Sequence, residues 1–330
     1  MSPATPPDNG RLRDRFRGAL LGTLVGDALG MPVEGWPSQA IRQEFGEVRE
    51  MLDVRLGRGT YTDDTQMTLA LAEALLEAGD PTQPDPARIA HHFGRRFDPD
   101  RRYGGNTGRI LAAIQSGESW GDAVEARRLP GGSFANGAAM RVSPVALACY
   151  PDAEATVRVA EIQAAPTGHD HPEGRFGARL QAAGVLACLM SRPGGVPPAP
   201  EVILRMASHD WRGEVPEPFV RAMDWINGHP GASPEEAASA LGNGLRAAEA
   251  VPAALWAFLA FGHDAEEVVV QAVGMGGDTD TIGAMAGALA GAWNGASSFP
   301  SRWLEAVEGG PEGREGLTEL ADGLLSRRNR

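Results

Sequence analysis

Apolar residues recur at helical spacing along most of the chain, and no convincing run alternates β-branched with polar residues. Between residues 11 and 29, Leu12, Phe16, Leu20 and Leu24 repeat every four positions. The same pattern predicts further helices over 65–77, 86–97, 107–116, 153–164, 174–190, 200–207, 234–241, 252–261, 265–273 and 300–307. Proline stands at the start of several of them, where first-turn geometry favours it. The pattern predicts an all-α protein.

Two of the predicted helices carry glycine at every fourth position. The first stripe is Gly18, Gly22, Gly26 and Gly30, and the second, in the helix that begins at Thr281, is Gly283, Gly287, Gly291 and Gly295. A glycine stripe exposes backbone and lets another helix approach closely. These two helices are therefore the candidates for the centre of the fold. The segment 281–301 is uncharged but weakly hydrophobic, which indicates a buried helix and not a membrane span.

The segment 192–200, rich in proline and glycine, is the best linker candidate. The most informative polar motifs lie on both sides of it, so we interpret it as a surface loop within one domain over 11–330. Residues 1–10 are Pro-rich and polar and predict a disordered tail with no signal peptide.

Composition narrows the class of protein. The 330 residues are 42% hydrophobic and 22% charged, which is typical of a globular chain. The net charge of -13 argues against binding to nucleic acid or to an anionic membrane. No lysine is present, which excludes Schiff-base chemistry and a P-loop lysine. Cys149 and Cys188 lie in apolar runs, and we expect two buried thiols in a reducing cytoplasm.

Two short acidic segments, YTDDT and GGDTDT, carry the candidate chemistry. The first holds Asp63 and Asp64, the second Asp278 and Asp280, and each leads directly into apolar, helix-forming sequence. Clustered carboxylates and hydroxyls suit hard cations such as Mg²⁺ or Mn²⁺. Taken singly, each segment is more typical of an ordinary helix N-cap than of a ligand set. If folding brings them together, they would form a hydrolytic site for two metal ions.

Six motifs in order give the chain a family resemblance. They are GALLG at 18–22, GDALG at 26–30 followed by Pro32 and Glu34, YTDDT at 61–65, GAAMR at 137–141, HDHPEG at 169–174 and GGDTDT at 276–281. With these motifs the chain resembles the ADP-ribosylglycohydrolases, the group that includes dinitrogenase reductase-activating glycohydrolase and the ADP-ribosyl-acceptor hydrolases. The resemblance implies a compact orthogonal multi-helix bundle.

The resemblance also assigns roles to matching positions. It implies that two divalent cations, Mg²⁺ or Mn²⁺, are held by Thr62, Asp63, Asp64, Asp278, Asp280 and Thr281. Asp63, Asp64 or Glu34 would assist proton transfer, although Glu34 also fits a solvated loop carboxylate. His169 and His171 would lie near the ribose and the ions without ligating them. The family pattern has Thr directly before the first His, whereas this chain has Gly168 there.

Three glycine-bearing segments are candidates for substrate binding. Gly104, Gly105, Asn106 and Thr107 open a helix and could offer N–H groups to a pyrophosphate, or form a plain turn. Phe134 could stack on a base or belong to the core, beside Asn136 and Gly137. The third segment is Gly276 and Gly277, before the second acidic segment.

These roles predict that the protein hydrolyses the glycosidic bond between ADP-ribose and an acceptor and acts on ADP-ribosylated protein. We expect it to be a cytoplasmic monomer. Arginine-linked ADP-ribose is favoured slightly over serine-linked, O-acetyl or nucleobase-linked conjugates. The alternatives are a two-metal phosphoesterase, a non-catalytic ADP-ribose-binding member of the same fold, and a scaffold in which the carboxylates only cap helices. The GESWG sequence at 117–121 matches a serine nucleophile elbow by letter, but no strand precedes it, which favours an inter-helix turn.

Overall fold

The computed structural model describes residues 9–192 and 194–328, and its helices account for most of them. Two isolated bridges, Pro37 with Gly276 and Ala135 with Arg246, are the only extended pairings among the described residues. The predicted all-α class is therefore confirmed. The helices are α1 (Asn9–Gly30), α2 (Ser38–Phe45), α3 (Asp63–Glu77), α4 (Pro86–Arg96), α5 (Gly105–Gln115), α6 (Trp120–Ala126), α7 (Gly137–Met140), α8 (Ser143–Cys149), α9 (Ala153–Ile162), α10 (Pro172–Met190), α11 (Pro200–Ala207), α12 (Glu217–Gly228), α13 (Pro234–Leu241), α14 (Ala247–Phe261), α15 (Ala265–Gly274), α16 (Thr279–Asn294), α17 (Ser301–Ala306) and α18 (Arg314–Arg328).

Helices α1 and α16 lie against each other at the centre of the molecule along their glycine stripes. A methyl group built on Gly22 would overlap the carbonyl oxygen of Gly287, and one built on Gly26 would overlap that of Gly283. Gly18 meets Gly291 in the same way. The two backbones are thus in direct contact, which any larger side chain at these positions would prevent.

Arg15 secures the far end of this central pair. Its buried guanidinium donates to the carbonyl oxygens of Ala292 (2.7 Å), Ser191 (3.2 Å) and Cys188. One side chain therefore bonds carbonyl groups at the C-terminal ends of both α10 and α16, where the helices run out of N–H donors. Burial lowers the pKa of Arg15.

Every helix predicted from the pattern is present, but several others were not predicted. Helix α8 is buried on nearly every side, so it shows no apolar stripe, and α7 is a single turn. In α18 the few buried apolar residues are separated by glycine and charged residues, so no clear apolar stripe appears in the sequence. Pro252 was expected to begin a helix but lies inside α14, whose residues 250–258 are all buried. Packing there offsets the hydrogen bond that proline cannot make.

The predicted tail over 1–10 falls outside the described residues except for Asn9 and Gly10, which form the first turn of α1. The loop from Arg192 to Ala199 joins α10 to α11, and Pro193 within it is outside the described residues. Cys149 and Cys188 are both buried thiols, as expected. Within the described part of the chain, no helix combines the length and apolarity needed to cross a bilayer.

Candidate active site

The C-terminal end of α1 brings the two acidic segments together. Asp27, in the last turn of α1, accepts hydrogen bonds from the residues that begin α3. The Thr279 hydroxyl, in the first turn of α16, donates to the carbonyl oxygen of Gly30 at 2.8 Å. The segments touch directly where the Thr281 hydroxyl donates to Asp64 Oδ2 at 3.4 Å. The N-termini of α3 and α16 therefore meet at one place, and their dipoles favour negative charge there.

Asp27 is a site residue to which the sequence assigned no role. Both of its oxygens accept from the start of α3: from the Thr62 N–H and hydroxyl at 2.9 Å, and from the Thr65 N–H and hydroxyl at 3.0 and 2.6 Å. It is fully buried. Burial raises its pKa to about 6, although these hydrogen bonds favour the ionised form. Its signals in the sequence were its place in the GDALG motif at 26–30 and its being the only charged residue between 18 and 30.

The loop after α1 carries Glu34 to the second acidic segment. The N–H of Gly35 donates to Gly277 O at 2.7 Å, and the N–H of Gly277 donates to Trp36 O at 2.9 Å. Gly276 and Gly277 both have a φ of 73°, a left-handed conformation that disfavours other residues. This pairing fixes Glu34 so that one of its carboxylate oxygens lies within 4.8 Å of oxygens of Asp278 and Asp280.

Two arginines hold Glu34 from the outer side. Arg102 Nη2 is 2.6 Å from Glu34 Oε2, and Arg55 Nη1 is 3.3 Å from the same oxygen. Arg55 also donates to the carbonyl oxygen of Met31 at 3.1 Å. Oε1 of Glu34 takes no hydrogen bond from the described residues, so it is free to bind a ligand. The interpretation of Glu34 as a merely solvated carboxylate is therefore wrong.

The carboxylates do not act as helix caps. Thr62 is the N-cap of α3, but its side chain makes no cap hydrogen bond and donates to Asp27 instead. Asp278 is the N-cap of α16, and its side chain accepts from Asn136 Nδ2 at 2.5 Å and not from the helix. Asp280 Oδ1 does accept the N–H of the adjacent Thr281 at 2.9 Å, but Asp280 lies within α16 and is not its N-cap. Because the N-cap side chains of both helices bond elsewhere, capping alone does not explain either segment.

One carboxylate oxygen in the cluster has no partner. Asp64 is almost completely buried, with Oδ2 bonded to the hydroxyls of Thr62 (3.2 Å) and Thr281 (3.4 Å). Its Oδ1 is buried and takes no hydrogen bond. An unpaired buried carboxylate oxygen is costly, and a bound cation is the usual compensation. The donor set of carboxylates and hydroxyls fits Mg²⁺ or Mn²⁺.

The electrostatics of the cluster require positive charge. Burial, and then repulsion between neighbouring carboxylates, raises the pKa of Asp63, Asp64 and Asp280 well above the ordinary range. Burial also raises the pKa of Asp278. These groups can all be ionised at neutral pH only if divalent cations offset their charge.

The segment before α7 reaches the acidic cluster through Asn136. Its backbone N–H donates to Leu245 O at 3.0 Å, and its side-chain amide holds Asp278. Phe134 is 48% exposed, so the core alternative is wrong. The ring lies edge-on to His171, with centroids 6.0 Å apart, and Arg246 lies over its face.

The helix start at Gly104 and Gly105 lies beside α3. The Tyr103 hydroxyl donates to Gln66 Oε1 at 2.8 Å, one turn after Asp63. Methyl groups built on Gly104 and Gly105 would meet nothing within 4 Å, so the space beside these two residues is open. The Asn106 side chain accepts from Arg109 at 3.1 Å, and Thr107 follows it in the first turn of α5.

The two histidines have different surroundings. His169 is buried, and its Nδ1 is 2.9 Å from the hydroxyl of Thr167, two positions before it. Burial, assisted by the nearby Arg141, lowers the pKa of His169 to about 3. His171 is the N-cap of α10, and its Nδ1 accepts from the N–H of Glu173 at 3.2 Å.

Replacing Thr65 by Val is expected to destabilise the protein by about 2 kcal/mol, because it removes a buried hydrogen bond to the Asp27 carboxylate. Thr68→Val is the matched control: Thr68 is equally buried on α3, but its hydroxyl donates only to the Asp64 backbone carbonyl. Urea unfolding of both variants measures the difference. Equal losses would contradict the role given to Asp27.

Comparison with known proteins gives a consistent result. A model of the ADP-ribosylglycohydrolase family matches residues 8–330. An uncharacterised protein of Archaeoglobus fulgidus is 34% identical over 320 residues, covering 95% of this chain and 96% of the relative. The Homo sapiens protein ADP-ribosylhydrolase ARH3 is 30% identical, covering 91% of this chain and 90% of the relative. A solved structure described as an ADP-ribosylglycohydrolase-related protein complex is 33% identical with a TM-score of 0.73, covering 96% of this chain and 99% of that one.

Proposed function

Because the chain belongs to the ADP-ribosylglycohydrolase family, we propose that it is a metal-dependent hydrolase that cleaves the glycosidic bond between ADP-ribose and an acceptor. The observation that carries the proposal is the cluster of Asp63, Asp64, Asp278 and Asp280 at the meeting N-termini of α3 and α16. The orphaned Oδ1 of Asp64 supports a cation within this cluster.

We assign the metal ligands from the carboxylate and hydroxyl oxygens that protein hydrogen bonds leave available. Asp64 offers Oδ1, and Asp278 offers the oxygen that Asn136 leaves free. Asp280, Asp63 and the hydroxyls of Thr62 and Thr281 complete a set with room for two divalent cations, Mg²⁺ or Mn²⁺. When bound, the cations supply Lewis acidity and the positive charge that keeps these carboxylates ionised.

The remaining chemistry belongs to the side chains. Asp63 is only half-buried and takes no side-chain hydrogen bond from the described residues, so it is the best placed carboxylate to accept a proton from the attacking water. Glu34, with its free Oε1, is the second candidate. The negative cluster stabilises the positive charge that develops on the ribose as the acceptor leaves.

The substrate-binding assignments extend from this centre. We propose that the N–H groups at Gly104–Thr107 face the pyrophosphate, and that the exposed Phe134 ring stacks on a base. Asn136, Gly137, His169, His171, Gly276 and Gly277 would border the ribose. The acceptor end is unassigned, and ADP-ribosylated protein linked through arginine is the first conjugate to test.

The test is release of ADP-ribose from a panel of conjugates. The protein is stripped with a chelator, reloaded with Mg²⁺ or Mn²⁺, and incubated with arginine-linked, serine-linked, O-acetyl and nucleobase-linked ADP-ribose. We expect metal-dependent release from at least one conjugate, measured by chromatography of free ADP-ribose. A generic phosphoester is included to test the phosphoesterase alternative.

Two outcomes would overturn the proposal. Tight ADP-ribose binding without release from any conjugate would favour a non-catalytic member of the fold. Release that is unchanged by chelation would remove the metal from the mechanism. Asp264→Asn serves as a charge-matched control, because Asp264 is an exposed N-cap of α15 whose carboxylate accepts from the N–H groups of Glu266 and Glu267.

A further inference from the structure

Arg141 is a fully buried cation that the proposed reaction does not use. No carboxylate lies within ion-pair distance of it in the described part of the chain. Instead, Nε donates to Gln163 Oε1 at 2.7 Å, and Nη2 donates to Gln163 O at 2.7 Å and to Thr167 Oγ1 at 2.8 Å. Its guanidinium also lies over the Phe93 ring. A buried charge without a counter-ion is costly to keep, so the contacts it makes are informative.

The contact with Thr167 leads to the candidate site. Thr167 Oγ1 is 2.9 Å from His169 Nδ1. On its far side, the His169 ring packs against Gly137, where a methyl group would lie 2.7 Å from Nε2. Gly137 directly follows Asn136, whose amide holds Asp278. A single chain of contacts therefore runs from Arg141 to the edge of the acidic cluster.

The groups themselves fix the direction of donation at the Arg141 end of this series of contacts. A guanidinium can only donate, so Thr167 Oγ1 accepts from Arg141. The hydroxyl hydrogen then has two possible acceptors: His169 Nδ1 at 2.9 Å, or Ala164 O at 3.3 Å. Ala164 O already accepts the N–H groups of Thr167 and His169. Of these two acceptors, His169 Nδ1 is the nearer one, and Ala164 O is already bonded by two N–H groups. We therefore place the hydroxyl hydrogen on the contact with Nδ1.

We infer that Arg141 and Thr167 are positioning residues that fix His169 in the tautomer with the proton on Nε2, so that the ring offers a hydrogen-bond donor to a ligand oxygen. No hydrogen bond joins Nε2 to a described residue, and the His169 residue keeps an exposed fraction of 3%. A donor on a nearly buried ring that has no protein partner suits an oxygen of a bound ligand. That this oxygen belongs to the ribose rests on the proposed function, whereas the tautomer does not.

The tautomer is read directly from the ring nitrogens. Protein labelled with ¹⁵N-histidine gives long-range ¹H–¹⁵N correlations that distinguish the two neutral forms, and comparison with His169→Gln assigns the signal among seven histidines. At neutral pH and without metal or ligand, the wild-type protein is expected to show His169 with the proton on Nε2. A signal with the proton on Nδ1 would overturn the inference.

Thr167→Val and Thr167→Ser form the matched pair of variants. Valine keeps the shape but removes the hydroxyl, so we expect loss of the fixed tautomer and about tenfold weaker ADP-ribose binding by calorimetry. Serine keeps the hydroxyl and should keep both properties. If Thr167→Val folds and retains both, Thr167 does not relay the orientation.

Arg141→Met tests the first of these contacts, but it can fail to fold because it leaves the buried Oε1 of Gln163 without its donor. The Thr167 pair keeps the inference testable in that case. The spectroscopic result is also independent of catalysis. An enzyme that releases no ADP-ribose but shows the Nε2 proton would contradict the proposed function and leave this inference intact.

Discussion

Replacing Asp64 by Asn is expected to reduce ADP-ribose release by at least about a thousandfold, because it removes the negative charge of the metal ligand proposed at the centre of the cluster. The amide is nearly the same size as the carboxylate, so the fold should be preserved. Calorimetric titration with Mn²⁺ should show loss or strong weakening of metal binding in the same variant. Asp264→Asn, which also removes one acidic charge, should leave both properties unchanged.

The same substitution should stabilise the metal-free protein, and more so at higher pH. The pKa of Asp64 is raised in the folded state, mainly by burial, whereas an unfolded Asp has a pKa of about 3.9. Above that value the unfolded chain ionises while the folded protein holds the proton, so ionisation at this position reduces the free energy of unfolding as pH rises. The asparagine side chain of the variant does not titrate and escapes this loss.

Urea unfolding of chelated wild-type and Asp64→Asn protein at pH 5 and pH 8 measures this effect. We expect the variant to gain more stability relative to wild type at pH 8 than at pH 5. Addition of Mg²⁺ should reverse the order by stabilising only the wild-type protein. A variant that loses stability at pH 8 without metal would indicate that Asp64 is a structural residue and not a ligand.

Replacing Gly22 by Ala is expected to destabilise the protein by about 3 kcal/mol or more, although alanine is the better helix former. The added methyl would overlap the Gly287 carbonyl oxygen on α16. That atom belongs to the backbone of a buried helix, so it cannot move without shifting the whole α1–α16 contact. Because α1 also carries Asp27, such a shift would disturb the start of α3 and the acidic cluster.

Gly121→Ala is the matched control for this prediction. Gly121 also lies in a helix, α6, but a methyl group there meets nothing within 4 Å. We expect no loss of stability, or a gain of up to about 1 kcal/mol from helix propensity. Thermal and urea unfolding compare the two variants. Equal effects at both positions would mean that the central helices are not in backbone contact.

Much of the architecture was accessible from the sequence because helix periodicity is a local property. Four-residue repeats predicted α1 and α16, and the ordered motifs predicted the family, which is confirmed. Two of the helices that escaped prediction lacked a readable apolar stripe, since α8 is buried nearly all round and α18 is mostly polar. Helices α2 and α12 do have an apolar face and were missed all the same. The start of α14 was predicted at Pro252, because proline favours the first turn of a helix. The helix in fact begins at Ala247, since packing of its buried residues outweighs that local preference.

The site was predicted less completely, because its residues come from segments far apart in the chain. The acidic motifs pointed to Asp64 and Asp278, but the cap and ligand interpretations could not be separated without their partners. The bonds from Thr62 to Asp27 and from Asn136 to Asp278 separate them. Asp27 lies in the GDALG motif, but nothing in its own helix indicated that its carboxylate would bond the start of α3.

The sequence by itself determined the helical class, the family and the residue types able to bind a hard cation, because these depend on local spacing and side-chain chemistry. Only the tertiary structure decided that two glycine stripes face each other, that Asp64 Oδ1 has no partner, and that Arg141 reaches His169 through Thr167. Burial and hydrogen-bond pairing are properties of the packed chain. They arise from contacts between residues separated by up to hundreds of positions, and no local pattern encodes them.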